Sequence, residues 1–389
     1  QTNWNGLLGY VRLRTEREVF FSAVRVYPKE NTIDVQLVID GSIPYKGILR
    51  VTSPALEKTE EKEIEISAGV HTIALEGLKL KENVKKWDEE EGNLYDLTAS
   101  LQDGDEKSVT FGVRDFGDDG HGHLALNGRR IFLRSEANCC EFPETGHPPM
   151  TVGEWDKILR LYHSYGVNCM RFHSHIPPEA AFTAADQMGM LMQPELSHWN
   201  PKNAFEGDDS YEYYQRELKQ TILWLANHPS FVMLTFGNEL WTGELGHQRM
   251  DAMVELAHSL DTTRMYANGS NPHYGTIGCD AKSDFYTSQK YYEYDLRGTF
   301  AAMPGDDGIQ GYINNQYPSA AVNYDDSMKH LRETYQKPVF SFEVGQFEIL
   351  PDFGELEEFH GISDPANLRI IQEKAEKLGL IDNWNAYVE

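Results

Sequence analysis

Up to about residue 120, apolar and polar positions alternate in short runs. FFSAVRVYP, TIDVQLVIDG, KGILRVTS, EIEISAG, HTIALEG, LYDLTASLQ and SVTFGVRDF recur roughly every ten residues, with no helical period between them. Alternation of period two turns every second side chain to one face. Such runs predict paired antiparallel sheets, an immunoglobulin-like β-sandwich over residues 11–117. The segment FGDDGHGHLALNG, loaded with Gly and Asp, reads as a turn-rich link into the next unit.

After the link the texture changes. Short apolar runs at 130–137, 167–173, 189–196, 231–239, 264–270, 284–289 and 338–344 read as strands. Between them lie helical segments such as TVGEWDKILRLYHSYG, PPEAAFTAADQMG, YEYYQRELKQTILWLANH, HQRMDAMVELAHSLD and YDDSMKHLRETYQ. Strand, helix, strand in strict order predicts parallel strands with crossovers. A doubly wound open sheet would also carry seven strands. Its Gly-rich phosphate turn is absent, because the first strand leads into SEANCCEFP. The expected class is multidomain β plus α/β: an immunoglobulin-like sandwich, then a (β/α)8 TIM barrel over 118–389 that lacks strand eight in this chain. The start at Gln1, in mid-pattern, suggests missing upstream sequence.

Composition narrows the function. A chain of 389 residues exceeds one ordinary core, so two domains fit. The net charge of −26 would repel a phosphate backbone, and no Lys/Arg stripe interrupts it, so nucleic acid is not an expected partner. The runs LEKTEEKEIE and WDEEEGN read as solvated faces. No apolar run approaches the ~18 residues of a membrane span, so no membrane association is expected. Cys139, Cys140, Cys169 and Cys279 fall in no zinc-like spacing and lie in or beside expected barrel strands, which favours buried free thiols. The compartment stays open, with a periplasmic or secreted location slightly ahead of the cytoplasm.

Two stretches carry the chemistry. FVMLTFGNEL and KPVFSFEVGQ each read as a buried strand whose apolar run breaks into a carboxylate at its C-terminal end, Glu239 and Glu343. That end is where a barrel of this type keeps its catalytic groups. A single Glu after a strand is more often a helix-terminal charge or a loop ion pair. Two in a matching frame are the minimal apparatus of glycoside hydrolysis. Strands four and seven face each other across a narrow mouth, so carboxyl groups about 5 Å apart, as a retaining mechanism needs, are geometrically reasonable. Trp199 and Trp241 follow strands three and four, where an indole face could stack on a sugar or simply line the rim.

The run from LNGRRIFLRSEANCC through MRFHSHIPP to LMQPE, continued by HPSFVMLTFGNE and PVFSFEVG, resembles the catalytic barrel of glycoside hydrolase family 2, which includes β-galactosidases, β-glucuronidases and β-mannosidases. NLYDLTASL and FGVRDF resemble the end of that family's immunoglobulin-like domain. NWNGLLGYVRL resembles the junction that follows its N-terminal jelly-roll sugar-binding domain, which makes residues 1–10 the end of a linker from a missing domain.

The resemblance implies roles. Glu239 matches the acid/base, Glu343 the nucleophile, and Asn238 a residue that hydrogen-bonds the sugar 2-hydroxyl. Arg171 matches an arginine that holds the nucleophile ionised, a task for which its fork of donors suits it. His175 matches a histidine near the sugar, with His173 close by. Tyr291 matches a tyrosine that hydrogen-bonds the nucleophile, with Tyr286 and Tyr292 as competitors. Three departures stand out. The magnesium site of the large bacterial β-galactosidases falls on LSHWNP, so no metal and no cofactor is expected, although His198 is retained. No Asn-x-Lys pair of the kind that reads a uronate follows Glu343. The family's strand-eight tryptophan would lie beyond the end of this chain.

The expected activity is therefore that of a retaining exo-β-glycosidase, β-galactosidase-like first, acting on an oligosaccharide or glycoside. Loops 198–210, 271–282 and 296–322 would form the pocket walls. A homo-oligomer is left open. A non-catalytic carbohydrate-binding or scaffold protein on the same fold is the alternative, against which the retained pair Glu239 and Glu343 speaks.

Overall fold

The computed structural model describes residue 7, residues 9–270, and beyond them residues 281–288, 290–291, 294–295, 329, 333, 335–341, 343, 350–361 and 364–388. The alternating N-terminal region forms seven strands: β1 (Val19–Pro28), β2 (Thr32–Gly41), β3 (Tyr45–Thr52), β4 (Glu60–Ile66), β5 (Gly69–Lys79), β6 (Tyr95–Leu101) and β7 (Glu106–Phe111). They make two antiparallel sheets, ordered β1-β2-β5 and β4-β3-β6-β7. Burial alternates strictly along β2. Val35, Leu37 and Ile39 from one sheet and Leu49, Val51, Leu97 and Ala99 from the other are wholly buried in one core. The period-two pattern is thus used as a sandwich uses it.

The Gly- and Asp-rich link is more than a turn. β8 (Phe116–Asp118), β9 (Leu124–Leu126) and β10 (Arg129–Arg130) pair antiparallel in the order β10-β9-β8. Strands of two or three residues are too short to register a period, so the composition of the intervening turns dominated the expectation. The sheet has a clear purpose: Phe116, Leu124, Leu126 and Ile131 pack with Cys169, Leu191, Met233, Met265 and Phe285 from the barrel strands. It plugs the N-terminal end of the barrel. Ile131 belongs to this plug and its N–H donates to Leu124 O, so the strand expected over 130–137 begins only at Ser135.

The barrel strands are β11 (Ser135–Asn138), β12 (Cys169–Phe172), β13 (Leu191–Pro194), β14 (Met233–Thr235), β15 (Met265–Ala267), β16 (Tyr286–Ser288) and, after a small antiparallel pair β17 (Lys290–Tyr291) and β18 (Tyr294–Asp295), β19 (Val339–Ser341). β11-β12-β13, β14-β15 and β16-β19 pair in parallel. Parallel bridges join the groups: Glu195 to Thr235 between the third and fourth strands, and Ser270 to Thr287 between the fifth and sixth. Seven parallel strands therefore follow one another in chain order. No eighth lies among the described residues.

Helices α1 (Val152–Ser164), α2 (Glu179–Met188), α3 (Asp208–Trp224) and α4 (Glu244–Leu260) alternate with these strands, and two more, Ala366–Lys377 and Ile381–Val388, follow the seventh. α1 starts where its sequence says it should. Thr151 and Glu154 cap each other's backbone reciprocally, which satisfies two otherwise orphaned N–H groups. The helix expected from YDDSMKHLRETYQ lies almost wholly outside the described residues.

Alternation along the barrel strands sorts side chains in two directions. Met170, Phe172, Met192, Leu234, Phe236 and Tyr266 pack outward against the helices. The residues between them point inward, and these change character along the strand. Cys169, Leu191, Met233 and Met265, at the plugged end, are apolar. One or two steps further on come Arg171, Gln193, Glu195 and Thr235, all buried. The interior turns polar at the C-terminal end, and that is what positions a site there.

The sandwich docks on the other end. Arg114 donates to Pro229 O, Phe231 O and Thr263 O at 2.7, 2.8 and 2.6 Å. Asn227 bonds Val24 O and the Val26 N–H, and the Trp87 indole donates to Asp186 O at 2.7 Å.

Candidate active site

Strand four ends in a backbone that almost no sequence tolerates. Gly237 has φ 142, and a Cβ built there would lie 2.2 Å from His198 O. Only glycine lets the chain pass this close to the neighbouring strand. The approach is locked by bonds on both sides: Asn238 N–H donates to His198 O and Glu239 N–H to Ser270 O, each at 2.9 Å. Glu239 itself sits at φ 51, and Glu343, past the end of strand seven, at φ 44. A non-glycine residue in the left-handed region costs of order 1–3 kcal/mol and persists only where its surroundings over-determine it. Both strand-end glutamates are held this way.

Arg171 on β12 ties the strand ends together. Its Nη1 donates to Glu343 Oε1 at 2.9 Å, its Nη2 to Asn238 Oδ1 at 2.7 Å, and its Nε to Glu195 Oε1 at 2.8 Å, with Nη2 also 3.3 Å from Glu195 Oε2. The arginine is 7% exposed and Glu195 is wholly buried, so these charges meet in a low-dielectric interior. Burial alone would disfavour the Arg171 cation, but the two carboxylates outweigh it and raise its pKa. Burial likewise pushes the Glu195 carboxyl up. Arg171 and the hydroxyls around it win, and hold it below the usual carboxylate range.

The remaining expected site residues spread around this centre. Trp199 and Trp241 are partly exposed at 63% and 39%. The Trp241 indole N–H reaches Asn200 Oδ1 at 3.2 Å, while the Lys202 ammonium lies 4.3 Å from its ring centroid. Trp199 meets the His173 ring edge-on at 6.3 Å. His175 follows β12, with its ring against Phe172 and its Nε2 buried without a hydrogen-bond partner among the described residues. Burial pushes it down to about 4, so it is neutral near pH 7. The Tyr291 backbone forms β17, and its side chain lies outside the described residues, as do Tyr292 and Cys279. Tyr286 is buried on β16. Loop residues 271–280 and 296–322 also fall outside the described residues.

One expectation changes. Cys169 is buried, but Cys139 and Cys140 are only half-buried, because they follow β11 at the open end of the barrel rather than sitting within it. His198 stacks on Tyr214 at 4.5 Å and meets Phe205 edge-on, and burial pushes it to about 4. The ring packs beneath the loop. Among the described residues no group of three or more His, Cys, Asp or Glu is placed to hold a metal ion.

A family profile described as "Glycosyl hydrolases family 2, TIM barrel domain" matches residues 121–364, and a second, "Glycosyl hydrolases family 2", matches residues 19–114. The chain belongs to glycosyl hydrolases family 2. Among family 2 relatives, a putative β-glucuronidase of Formosa agariphila is 29% identical over 48% of this chain, and a β-galactosidase of Vibrio vulnificus 26% identical over 64%. The matches span 18% and 24% of those two proteins' own lengths. In structure, a family 2 β-galacturonidase of Eisenbergiella tayi aligns with TM-score 0.66 at 16% identity, covering 83% of this chain and 56% of its own. A β-glucuronidase of Parabacteroides merdae aligns at 0.55 and 21%, covering 70% and 36%. At these identities the structural likeness is one of fold: a sandwich followed by a TIM barrel.

Sequence reading of this family 2 chain missed Glu195 and the hydroxyls around it, Ser174, Thr235 and Ser270. A signal for Glu195 existed. GMLMQPEL is an apolar strand breaking into a carboxylate at its C-terminal end, the same pattern that singled out Glu239. Nothing distinguished the hydroxyl residues.

Proposed function

We propose that this chain carries the sandwich and catalytic-barrel domains of a retaining exo-β-glycosidase that hydrolyses a terminal β-linked sugar, with β-galactosides the first substrates to try. The observation that carries this reading is the Arg171 guanidinium joining Glu343 from strand seven to Asn238, the residue before Glu239, from strand four. One rigid cation thereby sets the relative placement of the strand ends that bear both carboxylates. Glu343 attacks the anomeric carbon, while Glu239 gives its proton to the departing oxygen. A covalent glycosyl-enzyme results. Glu343 is then esterified and uncharged, the field on Glu239 changes, and Glu239 takes a proton from the incoming water. Asn238 reads the 2-hydroxyl, and Trp199 and Trp241 offer apolar faces at the mouth.

The galactoside preference draws on the β-galactosidases among the sequence relatives. The test is nitrophenol release from a panel of nitrophenyl β-glycosides by the full-length protein and its Glu343→Gln variant. Turnover of one sugar that vanishes in the variant is expected. Binding without turnover on every sugar would move the reading to a carbohydrate-binding protein.

A further inference from the structure

Arg171 is shared between Glu343 and a second carboxylate, Glu195. Glu195 takes the Nε and one Nη2 contact, Asn238 takes a second Nη2 contact, and Nη1 goes to Glu343. Glu195 is 0% exposed, so it has no surface to offer a substrate. Its oxygens are also bonded by Ser174 Oγ at 2.9 Å, Thr235 Oγ1 at 3.0 Å and Ser270 Oγ at 2.5 Å. Donors thus converge on it from strand two, the loop after it, strand four and the end of strand five. A carboxylate given this many partners in a sealed interior is built to stay charged and still.

Two carboxylates therefore divide one cation. A guanidinium with Glu343 as its only counter-ion would keep that carboxylate ionised to very low pH and blunt it as a nucleophile. An opposite charge at such range shifts a carboxyl by roughly 1–3 pH units. The second carboxylate cancels that pull while the bidentate grip fixes the plane of the fork.

We propose that Glu195 is a positioning residue for the reaction: it orients Arg171 and offsets its charge, so that Arg171 aligns Glu343 and Asn238 without draining the nucleophile of basicity. The inference rests on the retaining reading given above. Among the described residues, the other titratable side chains on the strands and loops around the pair are Glu136 on β11, Cys139 and Glu141 after it, His173 and His175 after β12, His198 after β13, Glu239 after β14 and Tyr286 on β16. All of them stay unaltered in the test.

The experiment is the pH dependence of kcat/KM for the full-length protein on its best nitrophenyl glycoside, for the parent, Glu195→Gln and Glu195→Asp. In Glu195→Gln the acid limb is expected to move down by roughly one pH unit, as Glu343 stays ionised to lower pH. The plateau should fall by about 10–100-fold, in kcat rather than KM. Glu195→Asp keeps the charge on a shorter arm, so its acid limb should return to the parent's position while kcat stays reduced. A Glu195→Gln protein that loses activity with an unmoved acid limb, in step with its folded fraction, would overturn the proposal and leave Glu195 a purely structural residue. If Glu195→Gln is recovered unfolded, Glu195→Asp decides: parental kcat/KM would overturn the proposal, and reduced kcat with an unmoved acid limb would support it. A parent without turnover on any sugar sinks the retaining reading instead, and is recognised before either variant is made.

Discussion

Two arginines, one at each end of the barrel, are equally buried and used in opposite ways. Arg114, from the end of the sandwich, donates only to backbone carbonyls, those of Pro229, Phe231 and Thr263. Burial lowers its pKa, with Arg264 adding to the effect, and no carboxylate bonds it directly among the described residues. Arg171 donates to two carboxylates and an amide from three different strand ends, and its pKa is raised. The first arginine closes backbone valences where the sandwich docks. On the proposed reading, the second arranges groups that would react. Backbone strain leans the same way: apart from Asn127 in the turn between β9 and β10, the non-glycine residues of positive φ among the described residues of the barrel are Cys140, Asn200, Phe205, Glu239 and Glu343, all beyond the C-terminal ends of strands. Stability is built at the plugged end, and conformational cost is accepted at the open one.

The sharpest test of that contrast exchanges one arginine at a time. Arg171→Lys keeps a positive charge but loses the planar fork, so kcat is expected to fall about 10²–10³-fold with little change in Tm. Arg114→Met leaves three carbonyls without donors, so stability should drop by about 3 kcal/mol in a chemical denaturation curve, while kcat per folded molecule holds. Equal losses of kcat in both variants would erase the distinction between the two ends.

Gly237→Ala probes the strained end directly. The new methyl would meet His198 O at 2.2 Å in a conformation alanine rarely adopts, so a loss of about 2–4 kcal/mol is expected, together with a fall in kcat as Asn238 and Glu239 shift. A stable variant with parental kinetics would show that the close approach is incidental.

The smallest effect is in pH. Burial pushes His175 and His198 down to about 4 from the ordinary histidine value near 6.5. Between those values the unfolded chain binds protons that the native state refuses, so the stability from neutral burial is complete above about pH 6.5 and lost as pH falls toward 4. Tm should decline over that window. His198→Phe, which keeps a ring against Tyr214, should flatten the decline.

Much of this organisation was legible in the residues, and the illegible parts have physical reasons. The strands of the sandwich are long enough for period two to show, and the barrel strands announce themselves as apolar runs between helical segments. β8, β9 and β10 escaped because strands of two or three residues carry no period. Of the site, Glu239 and Glu343 could be named from where a carboxylate interrupts a strand end, Asn238 and Arg171 only through the family resemblance, and the fold brings Arg171, Asn238 and Glu343 into one network. Glu195 shared that signal. Ser174, Thr235 and Ser270 could not be found in advance, since a hydroxyl on a strand is ordinary and acquires meaning only when three of them converge on one buried oxygen pair.

The most direct measurement is covalent trapping. The full-length protein would be treated with an activated 2-deoxy-2-fluoro glycoside of its best substrate, digested, and the labelled peptide read by mass spectrometry. A single adduct on Glu343 is the expected result. Rapid turnover with no adduct, or an adduct on any other carboxylate, would contradict the double displacement and the part assigned to Arg171 in it.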